Sequence, residues 1–94
     1  MSNSRAKYQI VFQSSKVERG WQALHNEFPD RMKQLIQFLK TTPEDRLKAN
    51  RKLKKLKGRH KGKLQYDVTY EARVWYRVDR NNHTVIIKYA GPHP

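Results

Sequence analysis

Residues 72–78, with the sequence ARVWYRV, combine phosphate-binding and base-stacking side chains on one short segment. Branched and aromatic residues alternate along it, which predicts a β-strand with Arg73, Trp75 and Arg77 on one face. A guanidinium matches two phosphate oxygens and stays charged, and an indole can stack on a base. We therefore interpret this face, called the open face below, as a candidate site for phosphate and base. The opposite face would carry Val74, Tyr76 and Val78.

Acidic and imidazole side chains accompany this strand, and together they suit attack on an RNA phosphodiester by the neighbouring 2′-hydroxyl. That reaction needs a base, an acid and cations that stabilise the charge of the transition state. Arg73 would clamp the non-bridging oxygens, and His93 would act as general acid or base because imidazole titrates near neutrality. Asp67 or Glu71 would be the base. Alternatively, these carboxylates only orient His93 or Arg77.

Each of these residues also has an ordinary structural explanation. An arginine on a strand is often a surface charge paired with a nearby carboxylate. A histidine beside a chain terminus is often simply solvated, and a tryptophan in a small domain is often part of the core. Residue types alone leave both interpretations open for Arg73, His93 and Trp75.

The chain is strongly basic for its size. Its 94 residues predict a single domain, 1–94, in which residues 1–7 form a disordered tail. It has 21 Lys and Arg against 8 Asp and Glu, a formal net charge of +13. A positive field of this strength favours a polyanion as the partner.

The residues that are missing exclude several classes of protein. The sequence has no cysteine, so a disulfide framework and a thiolate metal site are excluded, and its four His lack metal-ligand spacing. No stretch approaches the roughly 20 apolar residues of a membrane span, and the N-terminus has no apolar segment of signal-peptide length. We expect a cytoplasmic protein with no metal, no cofactor and no membrane partner.

Residues 46–63, called the basic run below, are the densest positive segment, with ten Lys and Arg and no acid. Gly58 and Gly62 predict turns that expose the residues between them. The apolar residues of the run, predicted to anchor it in the core, are Leu47, Leu53 and Leu56. The predicted RNA-binding residues of the run and of the neighbouring strands are Lys52, Lys54, Lys55, Lys57, Arg59, His60, Lys61, Lys63, Gln65, Trp75, Arg77 and Lys88.

Hydrophobic periodicity predicts one strand and two helices in the N-terminal half. Residues 8–12 alternate as a strand, and Ser15 with Glu18 forms a capping-box signature for the first helix. Pro29 ends that helix and Asp30 would cap the second one. The positions predicted to be buried on the two helices are Val17, Trp21, Leu24, Phe28, Met32, Leu35, Ile36 and Leu39.

Residues 42–45 carry a helix-start signal, for which we expect at most a short helix, and the rest of the chain predicts strands at 64–68, 72–78 and 84–90. The fold class is therefore α+β: an N-terminal strand, two helices and a three-stranded antiparallel meander, with the helices on one face. Helices that cover only one face leave the face of Arg73, Trp75 and Arg77 exposed.

The order of these motifs resembles the RelE/ParE superfamily of toxin-antitoxin toxins. The resemblance runs through LKKLKG at 53–58, GKLQYDV at 62–68, RVWYRV at 73–78, VII at 85–87 and GPH at 91–93. It implies a microbial-RNase-type fold and a toxin that enters the ribosomal A site. There it would cut messenger RNA without a metal ion, and a cognate antitoxin would cover the active face.

The resemblance also implies roles for individual residues. Arg73 falls on the arginine of the family's "Arg, apolar, apolar, Tyr" strand, which contacts the scissile phosphate in ribonuclease members. His93 falls where YoeB-like and YafQ-like members keep a catalytic histidine. Gln65 and Asp67 depart from the pattern, because RelE-like members have lysines on that strand. Many members also follow the histidine with an aromatic residue, where this sequence has Pro94.

Two alternatives remain open at this point. ParE-like members lack the catalytic set and inhibit DNA gyrase, although His93 argues against that branch. A basic RNA-binding module without activity is the second alternative, although the aromatic pairs of single-strand platforms are not evident in the sequence.

Overall fold

A computed structural model describes residues 7–92 of the chain. It confirms the α+β class, with two helices on one face of a mainly antiparallel sheet in the order β1-β5-β4-β3-β2. Only β1 and β5 run parallel. The elements are β1 (Gln9–Phe12), α1 (Ser15–Glu27), α2 (Pro29–Thr41), β2 (Leu53–Lys55), a 3₁₀ turn (Gly58–His60), β3 (Leu64–Asp67), β4 (Ala72–Asp79) and β5 (Thr84–Pro92).

The sequence predicts a three-stranded meander, but the structure has a fourth antiparallel strand in it, because β2 pairs with β3. Its residues Lys54 and Lys55 have low strand propensity, so the basic run gave no strand signal. Lysine is nevertheless common on edge strands, where it discourages pairing with other chains. Within β2, Leu53 is buried opposite Tyr66 and confirms one of the predicted core anchors.

Helix α1 begins one residue earlier than its capping-box signature predicts. The cap is Ser14, whose hydroxyl accepts a hydrogen bond from the backbone N–H of Val17 at 3.2 Å. The predicted cap at Ser15 is therefore wrong by one residue. Val17, Trp21 and Leu24 of the apolar stripe of α1 are buried as predicted, whereas Phe28 is half-buried. Gly20 lets the helix approach β5 so closely that a Cβ there would clash with the carbonyl oxygen of Ala90.

Helix α2 begins at Pro29 itself, so the prediction that Asp30 is its cap is wrong. Proline suits the first helical position because its missing N–H would have no partner there, and Asp30 lies in the first turn. Ile36 is half-buried, whereas the buried set includes Phe38, whose ring lies 5.4 Å from that of Tyr66. The buried residues of α2 are Met32, Leu35, Phe38 and Leu39.

The segment that joins α2 to β2 is a series of turns, so the helix-start signal at 42–45, where at most a short helix is expected, begins no helix. The Asp45 carboxylate accepts hydrogen bonds from the backbone N–H groups of Leu47 and Lys48. These bonds support a turn that leaves Leu47 exposed, so the prediction of a core anchor there is wrong. Ala49 is buried instead.

The central strand has the predicted alternation. Val74 and Tyr76 of β4 are fully buried beneath the helices, whereas Arg73 and Trp75 are half-buried and Arg77 is exposed. Packing of both helices against the opposite side leaves the open face free of helices within residues 7–92. None of the helices in this part of the chain combines the length and apolar character needed to cross a bilayer.

Tyr76 anchors the 42–52 segment to the sheet. Its hydroxyl is buried and donates a hydrogen bond to the carbonyl oxygen of Pro43 at 2.5 Å, and burial raises the pKa of Tyr76. On the neighbouring turn, Arg80 donates two hydrogen bonds to the Glu44 carboxylate at 2.7 and 2.8 Å. Two adjacent residues of the segment are thus attached to β4 and to the turn that follows it.

Replacing Tyr76 with Phe should destabilise the protein, because the Pro43 carbonyl would lose its buried partner. We expect the free energy of unfolding to fall by about 1 to 3 kcal/mol, measured by urea denaturation. Tyr70→Phe is the matched control, since Tyr70 is 95% exposed and should change stability by less than about 0.5 kcal/mol. Equal stability of the two variants would contradict the anchoring role.

The Glu44 contact predicts a pH dependence. Hydrogen bonding from Arg80 lowers the pKa of Glu44, so the carboxylate stabilises the folded state above its unfolded-state pKa. That stabilisation is lost as pH falls through the lower folded-state pKa. Between about pH 5 and pH 3 the stability of the wild type should therefore fall more steeply than that of Glu44→Gln. Glu27→Gln, at the end of α1, should keep the wild-type slope in the same denaturation series.

Candidate nucleic-acid interface

Strand register brings the open-face residues into two neighbouring rows. Lys54, Gln65, Trp75 and Tyr89 are successive cross-strand partners on β2, β3, β4 and β5. In the next row, Asp67 lies opposite Arg73, and Arg73 lies opposite Gly91. The register therefore places a carboxylate, a guanidinium and two aromatic rings within neighbouring positions of one surface.

Arg73 lines a cavity of about 620 Å³ at one end of the open face. Its side chain is 21% exposed, and Gly91 on the neighbouring strand has no side chain to cover it. The residues around this space, called the Arg73 cavity below, are Arg31, Lys52, Lys54, Asp67, Val68, Thr69, Tyr70 and Arg73. Four cations against one carboxylate make the cavity suitable for an anion.

The Nε atom of Arg73 has an unusual environment. It lies 3.5 Å from Oδ1 of Asp67, an ion-pair distance, yet it forms no hydrogen bond. Among the side chains of residues 7–92, it is the only buried nitrogen or oxygen atom without such a partner. A buried donor left unpaired costs about 1 to 3 kcal/mol, so the contact with Asp67 does not fully satisfy the Arg73 guanidinium.

Asp67 is surrounded by donors. Its Oδ1 accepts a hydrogen bond from Nε2 of Gln65 at 3.0 Å, and its Oδ2 lies 3.8 Å from Nζ of Lys54. With Arg73 on the same side, the carboxylate faces two cations and one amide. This arrangement fixes the position of the carboxylate beside the guanidinium.

Trp75 is the centre of an aromatic surface in the middle of the open face. Its ring centroid lies 4.7 Å from that of His60 and 5.3 Å from that of Tyr89. Nζ of Lys63 lies 6.0 Å from the Trp75 centroid and 3.4 Å from Nδ1 of His60. Aromatic rings next to cations are the combination that binds single-stranded bases and their phosphates.

His60 reaches Trp75 because the basic run folds back over β4. Gly58 and Gly62 adopt positive φ values of 68° and 92°, which confirms the predicted turns around the 3₁₀ segment. The sequence predicts His60 as an RNA-binding residue of an exposed basic loop, whereas in the structure it is half-buried. Its contact with a residue fifteen positions away depends on this turn geometry, which composition does not reveal.

The remaining predicted RNA-binding residues are spread along the interface. Arg77 and Lys88 line a second cavity of about 570 Å³ at the other end of β4. Arg77 lies four positions along the strand from Arg73, a distance of roughly 13 Å. Lys88 is the extra residue of a β-bulge, where Trp75 pairs with Tyr89 but Tyr76 pairs with Ile87. Among the predicted RNA-binding residues of the basic run, the exposed cations are Lys54, Lys55, Lys57, Arg59 and Lys61.

One of the predicted catalytic residues, Glu71, remains separate from this geometry. Glu71 is exposed on the β3–β4 turn and is absent from the lining of the Arg73 cavity. His93 lies outside the described residues, as do residues 1–6 of the predicted tail. Strand β5 ends at Pro92, which pairs with Ala72, the residue before Arg73.

Four residues that line the Arg73 cavity are not among the predicted site residues: Arg31, Val68, Thr69 and Tyr70. Arg31 comes from α2 and donates to the carbonyl oxygen of Val68 at 3.5 Å, and Tyr70 is fully exposed on its rim. Nothing in the local sequence connects Arg31 with a residue 42 positions away. Within residues 7–92, no three His, Asp or Glu side chains cluster as metal ligands.

Comparison with solved structures confirms the resemblance at the level of the fold. A YoeB/ParE toxin from Agrobacterium tumefaciens superposes with a TM-score of 0.73 at 20% identity, covering 92% of this chain and 99% of that one. An archaeal RelE-RelB complex from Pyrococcus horikoshii gives 0.67 at 22% identity over 90% and 93%. The YoeB-YefM complex from Staphylococcus aureus gives 0.65 at 20% identity over 97% and 100%.

The chain therefore has the fold of the RelE/ParE superfamily toxins over nearly its whole length. No protein-family model matches the sequence, and no curated protein matches it. The likeness is thus one of structure at identities near 20%, and the function must be argued from the residues of this chain.

The aromatic surface predicts a specific effect on RNA binding. Trp75→Ala should weaken binding of a short oligouridylate by about 1 to 3 kcal/mol, or roughly 5- to 150-fold, because a stacked base would lose its platform. Lys54→Gln should instead lower the slope of log affinity against log salt by about one. Fluorescence anisotropy at several salt concentrations distinguishes the two effects. Unchanged affinity in Trp75→Ala would contradict stacking there.

Proposed function

We propose that the protein is the toxin of a toxin-antitoxin pair and an endoribonuclease that cleaves messenger RNA in the ribosomal A site. The observation that carries the proposal is the Arg73 cavity: a partly buried arginine with an unpaired Nε, surrounded by three more cations on an uncovered sheet face. The fold shared with RelE and YoeB toxins supports it.

In the proposed reaction the 2′-hydroxyl of the substrate attacks the adjacent phosphorus, and the 5′-oxygen of the next nucleotide leaves. Arg73 binds the non-bridging oxygens and stabilises the charge that accumulates on them. Arg31, Lys52 and Lys54 add positive charge around the same anion. The substrate itself supplies the nucleophile, so the protein needs no activated serine or cysteine.

Proton transfer is assigned to His93, as general acid or base. Asp67 takes the orienting role, because its oxygens already face Gln65, Lys54 and Arg73. Glu71, which is exposed on the adjacent turn, is the remaining carboxylate for the base.

Dependence on the ribosome follows from the openness of the interface. An uncovered sheet face holds flexible RNA poorly, and positioning of the reacting atoms contributes much of the rate in any such reaction. A ribosome that holds the messenger extended supplies this positioning. The basic run would bind ribosomal RNA, with the strong salt dependence of phosphate contacts.

A cognate antitoxin is the proposed protein partner. Solved structures with this fold include the RelE-RelB and YoeB-YefM complexes. A chain with a net charge of +13 would bind an acidic partner readily, and such a partner on the open face would exclude RNA.

The test is cleavage of a defined message by the purified protein on translating ribosomes, read by primer extension. Arg73→Ala should lower the cleavage rate by about 10²- to 10³-fold, the effect of removing one donor to an oxyanion. Arg19→Ala is the matched control, since Arg19 is an exposed arginine on α1 and should cut at the wild-type rate.

Two other outcomes would contradict the proposal. Inhibition of DNA gyrase that survives Arg73→Ala and His93→Ala would indicate a ParE-like toxin. Tight binding to ribosomes without any cut would indicate an RNA-binding module.

A further inference from the structure

Gln65 is the only buried residue with an amide or charged side chain in residues 7–92, with 5% of its surface exposed. The sequence predicts it as an RNA contact, yet both ends of its amide are engaged inside the protein. Oε1 accepts a hydrogen bond from the Trp75 indole N–H at 3.0 Å, and Nε2 donates to Oδ1 of Asp67 at 3.0 Å. It therefore connects the aromatic surface to the carboxylate beside Arg73.

Hydrogen-bond chemistry determines which end of the Gln65 amide faces Trp75 and which end faces Asp67. An indole N–H can only donate, so the end of the Gln65 amide that faces Trp75 must be its oxygen. The NH₂ end then faces Asp67, whose Oδ1 must accept. The orientation of the amide, often ambiguous in a structure, is in this way determined by its two neighbours.

The same carboxylate oxygen also faces Arg73, at 3.5 Å from Nε. A free carboxylate beside a guanidinium rotates into a bidentate pair, which uses two parallel N–H donors at once. Those donors are the ones that a phosphate needs. A hydrogen bond that holds Asp67 toward Gln65 prevents this internal pair and leaves Arg73 only partly neutralised.

We propose that Gln65 is a positioning residue that restrains Asp67 and so keeps the guanidinium of Arg73 available to phosphate. The identification of that phosphate as the scissile group rests on the proposed function. The restraint on Asp67 and Arg73 itself is independent of it. Loss of Gln65 should let this long contact between Asp67 and Arg73 close into a bidentate ion pair that occupies the donors a phosphate would use.

Two substitutions separate the two ends of the amide. Gln65→Glu keeps an acceptor for Trp75 but places a carboxylate against Asp67, whereas Gln65→Leu removes both hydrogen bonds. On ribosomes, both should lower kcat for message cleavage by about tenfold or more while KM changes by less than about threefold. Gln34→Glu, an exposed site on α2, is the charge-matched control and should leave both constants unchanged.

The deciding readout is NMR of the free protein, which requires no RNA. The Arg73 Nε–H resonance, assigned by its loss in Arg73→Lys, should shift in both variants as the ion pair closes. The Trp75 indole resonance should move in Gln65→Leu and stay near its wild-type position in Gln65→Glu. The indole of Trp21, buried against the core, should stay unchanged and shows that the fold is intact.

An Arg73 resonance that is unmoved in both folded variants overturns the inference. A kcat equal to that of the wild type in both variants also overturns it, provided that the wild type itself cuts the message. If the wild type cuts nothing, the proposed function fails, whereas the Arg73 resonance still decides the role of Gln65. Should Gln65→Leu not fold, Gln65→Glu alone carries both measurements.

Discussion

The structure depends on one packing constraint: both helices lie on the same side of a five-stranded sheet. Gly20 brings α1 against the backbone of β5, and the buried side of β4 fills the space beneath the helices. Because strand residues alternate, every second residue must then point to the uncovered side. Arg73, Trp75 and Arg77 reach solvent for this reason.

The charged side chains on the uncovered side of the sheet occupy defined positions relative to one another. Pairing across the sheet places Asp67 beside Arg73, and the turns around Gly58 and Gly62 bring His60 and Lys63 to Trp75. A carboxylate that limits the freedom of one arginine, next to an aromatic surface bordered by cations, distinguishes the interface from a generally basic surface. Phosphate contacts of the basic run add affinity, whereas the ordered groups define where a phosphate and a base would lie.

Sequence periodicity predicts most of the architecture, because burial controls it. The alternation of β4 and the apolar stripes of both helices follow from the need to bury one face, and the structure confirms them. Strand β2 was missed because its stability comes from pairing with β3 and not from its own lysines. The apolar type of Leu47 predicts a core position, but the turn that the Asp45 carboxylate supports leaves its side chain exposed.

The interface was predictable only in part. The strand face of Arg73 and Trp75 follows from local alternation, so the sequence identified it. The contributions of Arg31 from α2, of His60 above Trp75 and of the Gln65 amide depend on contacts between distant segments. No local pattern encodes such contacts, and the burial of Gln65 in particular requires Trp75 and Asp67 to lie on either side of it.

The central claim is that a message phosphate binds in the Arg73 cavity with His93 beside it. The most direct test is an electron cryomicroscopy structure of the protein on a ribosome whose message carries a 2′-deoxy nucleotide at the cut site. The account predicts a phosphate oxygen about 3 Å from the terminal nitrogens of Arg73, with the His93 imidazole within hydrogen-bond reach of a reacting oxygen. A message that passes over the helices, or an Arg73 paired only with Asp67, would contradict it.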